Sequence, residues 1–142
     1  MSRRSISSRL YQFTRNYPVV PFDWATHNCA HFVQDWRVFC GQECASISLP
    51  PFAGVEDTRK FFVENNASLE GLVTDISGMQ RIEPQYATPG CIALFTMPKH
   101  DMMALGIYDG PRTIFLTADG TLQSMVVLLT AAWVVSYVPE KV

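Results

Sequence analysis

Cys29 is the residue best placed for covalent chemistry. It lies in P-F-D-W-A-T-H-N-C-A-H-F-V-Q-D-W, residues 21–36. Asn28 is a residue type that caps helices, which puts Cys29 at the first helical position. The free N–H groups and the positive end of the helix dipole then face the sulfur. Such surroundings favour thiolate over thiol. A thiolate can attack an acyl carbon, and the same amides can steady the oxyanion that forms. Cys29 also opens an apolar stripe, so a plain core cysteine fits the position as well.

The stripe defines the helix that must hold this sulfur. Cys29, Phe32, Val33, Trp36, Phe39 and Cys40 recur at helical spacing, and Gly41 ends the run. An earlier helix is expected over 5–16, with Ile6, Leu10 and Phe13 inward, ended by Tyr17-Pro18. An extended stretch follows through Trp24. Pro50-Pro51 marks a loop. A third helix is expected over 57–65, and a short helical turn over 69–73. From about residue 90 the period changes to that of strands. Five are expected, at 91–96, 103–108, 113–117, 122–128 and 133–138, with turns at Asp109-Gly110 and Asp119-Gly120. The short connections favour antiparallel neighbours. The expected class is α+β, with helices packed on one face of a C-terminal antiparallel sheet.

The 142 residues suit one domain: a lead-in helix and extended stretch over 1–19, a helical part over 20–75 and a sheet over 90–138. With 48% apolar residues, a core can be buried without staples. Charged residues are 17% and the net charge is −2, so no nucleic-acid footprint is visible. No apolar run reaches the roughly 18 residues that span a bilayer. The N-terminal residues lack the apolar core of a secretory signal, so folding in the cytoplasm is expected.

Four cysteines are present: Cys29, Cys40, Cys44 and Cys91. The absence of a secretory signal argues against disulfides. Cys40 and Cys44 have a spacing that can suit a metal, but no second pair follows. His27, His31 and His100 do not complete a zinc pattern. Cys29 and Cys40 lie about 16 Å apart along one helix and cannot share an ion. Neither a metal nor a cofactor is expected.

Residues 21–36 resemble the nucleophile region of NlpC-type, papain-like cysteine peptidases: Trp24-Ala25, a short loop, then Asn28-Cys29 opening a helix. Residues 87–95, A-T-P-G-C-I-A-L-F, resemble that family's Ala-x-x-Gly strand. Residues 104–110, A-L-G-I-Y-D-G, resemble its His-Val-Gly-Ile-Tyr-x-Gly strand. The order agrees over about residues 20–138. Short NlpC-like tail proteins of bacteriophages are similar too, down to the closing Ala132-Trp133.

The resemblance implies a papain-like fold. It also implies that Ala104 stands where the family carries its catalytic histidine, Cys91 where it usually has aspartate, and Asn28 where many members have aspartate. A methyl cannot accept a proton, so the Cys–His pair is broken there. His27 and His100 are the candidate substitutes. His31 is about 200° round the helix from Cys29 and points away. The implied role is a structural component of a phage tail tip or baseplate, made in the host cytoplasm and carried in the virion. Its partners would be other tail proteins. An active peptidase or amidase on peptidoglycan, with Cys29 as nucleophile and a non-standard base, is the competing expectation.

Overall fold

The computed structural model describes residues 3–23, 27–42, 60, 64, 69–97 and 103–135. Among the described residues, three α-helices have assigned bounds: α1 (Arg3–Arg15), α2 (Cys29–Phe39) and α3 (Leu69–Ser77). The strands are β1 (Arg81–Ile82), β2 (Ile92–Thr96), β3 (Met103–Asp109), β4 (Arg112–Leu116), β5 (Leu122–Met125) and β6 (Leu129–Trp133). They form one antiparallel sheet in the order β1-β6-β2-β3-β4-β5. The class is therefore α+β, with helices first and an open sheet second. Among the described residues, no helix is long and apolar enough to cross a membrane.

The expected helix over 57–65 lies outside the described residues, apart from Lys60 and Glu64, which are helical. The turn expected over 69–73 continues to Ser77. The sheet has six strands rather than five, because Arg81 and Ile82 pair with Trp133 and Ala132. The last strand is Leu129–Trp133, not 133–138, of which 136–138 lie outside the described residues. Residues 121–135 are uncharged and contain no glycine or proline, so no local signal marks the crossing from the β5 edge to the β2 side. The β2 partnership decides the register instead: Ala131 and Ala132, both fully buried, lie opposite Leu94 and Ala93.

One core joins helices and sheet. Leu10 and Phe13 of α1, Phe32, Val33 and Trp36 of α2, and Val73 of α3 pack with Ile92, Leu94, Leu105, Ile107, Ile114, Leu116, Ala131 and Trp133. Strand alternation sends the intervening residues to the other face. There Phe95, Ala104 and Phe115 form a second, smaller cluster.

Both ends of α2 are fixed. At its C-terminus Gly41 takes φ 90°, its N–H reaches Val38 O at 2.9 Å, and Gln42 N–H reaches Arg37 O at 3.1 Å. This is a Schellman motif, and it needs the left-handed residue that glycine supplies. Phe32, Val33 and Trp36 are fully buried. At about 1.5–3 kcal/mol each, their burial outweighs either cap in holding the helix. Trp36 Nε1–H also donates to Gly90 O at 2.9 Å, tying the helix to the turn before β2.

Gly106 lets β3 and β4 cross closely. A Cβ there would stand 2.5 Å from Ile114 O and 2.8 Å from Thr113 Cγ2. Gly106→Ala is expected to cost about 1–3 kcal/mol, the usual range for overpacking, as a fall in urea midpoint at constant slope. An unchanged midpoint would show that the strands do not need this approach.

Candidate functional site

The segment before α2 is pinned to the far end of the sheet. Phe22 N–H donates to Ala118 O at 3.2 Å in the β4–β5 turn. Any side chain at Gly120, which has φ 87°, would overlap the Val20 carbonyl. Asp23 and His27 then exchange backbone hydrogen bonds of 2.8 and 3.0 Å. The chain thus arrives at Asn28 in a fixed direction.

Asn28 is the N-cap of α2, as expected. Its Oδ1 accepts from Ala30 N–H at 2.9 Å and from His31 N–H at 3.3 Å. His31 closes a capping box through Nδ1, which lies 3.3 Å from Asn28 N and 3.0 Å from Asn28 Oδ1. Whichever tautomer it takes, that nitrogen is committed to the cap. Cys29 follows at the first helical position, half-buried against the main core.

The backbone amides of Leu105, Cys29 itself and Ala30 act to lower the pKa of the Cys29 thiol. The Leu105 amide is available because of strand geometry. Tyr108 N–H donates to Cys91 O beside β2, so alternate amides of β3, those of Leu105 and Ile107 among them, face β4. The β3–β4 ladder runs only over Ile107↔Ile114, Tyr108↔Thr113 and Asp109↔Arg112. The ladder ends before Leu105, which lies on the Cys29 face of the sheet.

Residue 29 therefore meets the peptide that joins Ala104 to Leu105. The Ala104 methyl itself packs with Phe95 and Phe115 on the other face of the sheet, while Leu105 shares the Cys29 face. The picture of that methyl standing opposite the sulfur is corrected by this alternation: the sulfur faces backbone.

The expectation of a lowered thiol pKa is also corrected. Burial raises the Cys29 pKa and outweighs the lowering by the Leu105, Cys29 and Ala30 amides. The Ala30 N–H is already given to Asn28 Oδ1, so the cap and the sulfur compete for it.

Neither flanking histidine hydrogen-bonds the sulfur. The His27 ring stacks on Tyr17 with centroids 6.0 Å apart, and its Nε2 is buried without a hydrogen-bond partner among the described residues. Tyr17 in turn donates to Asp35 Oδ2 at 2.7 Å, and burial with that carboxylate raises its pKa. His100 and Cys44 lie outside the described residues. Cys91 is buried beside Thr88 Oγ1 at 3.7 Å. Cys40 is buried too, and burial pushes its pKa up to about 12 against the opposing charge of Arg9. Among the described residues, no three His, Cys, Asp or Glu side chains gather as a metal site.

Sequence reasoning missed the Leu105 amide and the part played by Gly106 beside it. A glycine inside a strand was the available signal, since it marks a close backbone approach.

Residues 2–135 match the family described as Domain of unknown function (DUF6950), and the chain belongs to that family. No curated protein matches the chain.

A raised pKa leaves the Cys29 thiol protonated at neutral pH, so its alkylation by iodoacetamide at pH 7.5 is expected to be slower than that of a small free thiol. The rate should climb through pH 9 without levelling. Asn28→Ala should destabilise the fold by about 1 kcal/mol through the lost cap, and should speed labelling by releasing the Ala30 amide to the sulfur. Peptide mapping of the labelled protein reads the rates. A plateau below pH 7 would show a thiolate instead.

Proposed function

We propose that this chain is a papain-like, NlpC-type relative that has kept the nucleophile position without a working base and serves as a structural component of a phage tail tip or baseplate. The observation that carries the loss of activity is the state of Cys29. Burial raises its pKa, it packs against the apolar core, and no imidazole among the described residues hydrogen-bonds it. Hydrolysis by a cysteine needs a thiolate and a group to return the proton to the leaving amine. Here the nearer histidines are engaged elsewhere, one in the cap and one against Tyr17.

The tail-tip role rests on the likeness of residues 21–36, 87–95 and 104–110 to short phage NlpC-like proteins. The geometry is compatible with that likeness in one specific way. Its Ala-x-x-Gly element ends in Gly90, whose carbonyl receives Trp36 of the cysteine helix and whose φ of 98° no other residue adopts readily.

Two measurements test the parts separately. Incubation of the purified protein with isolated peptidoglycan is expected to release no soluble muropeptide, with wild type and Cys29→Ala alike. Release by wild type that is lost in Cys29→Ala would replace this reading with an active peptidase. Mass spectrometry of purified particles that carry the gene should find the chain in the virion. Its absence from them would remove the tail-tip role.

A further inference from the structure

Among the described residues, the outer edge of β5 is an open backbone row: β5 ends the strand order, with β4 as its one neighbour there. Thr117 N–H donates to Thr121 O at 2.9 Å, which sets the alternation along the pair. Thr121, Gln123 and Met125 turn their backbone groups to β4, while Leu122 and Ser124 turn theirs outward. Among the described residues, one partner reaches these outward groups: Arg112 Nη1 donates to Ser124 O at 3.2 Å, leaving that carbonyl a second lone pair.

Natural edges are commonly blocked by lysine, proline or an inward charge. This one carries none of these, since residues 121–135 are uncharged and lack proline. Immediately beyond it stand the two most exposed large apolar side chains among the described residues, Leu128 at 91% and Val126 at 69%. Proteins seldom leave such a combination unpartnered.

We propose that β5 pairs antiparallel with β5 of a second copy of this chain, giving a two-fold dimer with one continuous sheet. The edge is self-complementary. A two-fold axis at Gln123 sets Leu122 of one copy opposite Ser124 of the other, twice, and both residues carry outward N–H and C=O groups. The strand itself is uncharged, and Arg112 of each copy has to keep to the second lone pair of Ser124 O or swing aside as the strands meet. Val126 and Leu128 flank the junction on both sides and lose exposure there.

Proline separates this from a general loss of structure. The Ser124 N–H points outward, so Ser124→Pro removes a docking donor and leaves the β4–β5 ladder intact. The Gln123 N–H points to β4, so Gln123→Pro should lower the melting temperature. Sedimentation velocity of the full chain should show wild type moving toward twice the chain mass as concentration rises, and Ser124→Pro remaining a monomer with an unchanged melting temperature. If Ser124→Pro fails to fold, hydrogen exchange on wild type decides. The Leu122 and Ser124 amides should gain protection with concentration, while those of Gln123 and Met125 do not change. A wild type that stays monomeric at millimolar concentration overturns the proposal. So does a dimer that survives Ser124→Pro, or one whose formation leaves the Leu122 and Ser124 amides unprotected.

Discussion

The N-terminus of α2 is the most tightly constrained point of this structure. Its first residue, Cys29, sets its sulfur against the main core, on the sheet face that Leu105 shares. About two turns along the helix, Trp36 ties to Gly90 O through its indole N–H. The Asp23–His27 bridge, the Asn28 cap and the His31 capping box all converge within one helical turn of that sulfur.

The close approach of β3 and β4 is a second constraint. Past Gly106 the β4 carbonyl of Ile114 lies where any Cβ would be. Glycine permits this close crossing. The two-residue loop Gly110-Pro111 joins the strands tightly, with Gly110 at φ 74°. Ala104 belongs to the same arrangement. On the face away from the helices it has to fit beneath Phe95 and Phe115, whose rings lie 5.3 Å apart.

Much of this was legible in the residues. The α2 stripe, its Asn28 cap and its Gly41 stop are local signals, and each has a local cause. The turns at Gly110 and Gly120 were visible for the same reason: each takes a positive φ. The end of β5 and the start of β6 were not visible. Residues 125–129 are apolar throughout, and where such a run breaks depends on which strand it joins. The two-residue β1 carries no periodicity at all and exists through its pairing with β6. At the site, the helix N-terminus was readable but the charge state of Cys29 was not. Spacing reports which amides can approach a sulfur. It does not report how deeply the sulfur is buried, or that Asn28 has already claimed one of those amides.

That competition bears on what the site can do. Burying a thiolate shifts its pKa upward by as much as several units. Hydrogen bonds to a charged acceptor return about 1.5–3 kcal/mol each. Three undivided amides would come close to balancing the burial. Here the Ala30 amide is shared with the cap, and the Cys29 amide belongs to the residue itself, where it cannot point squarely at its own sulfur. Leu105 stands first among the groups that lower the pKa, yet burial outweighs all three. The balance accordingly falls on the side of the neutral thiol. A cationic imidazole beside the sulfur would reverse it, because a full charge at contact outweighs a shared dipole. The burial that lets Cys29 pack against the main core is thus what leaves it a poor nucleophile.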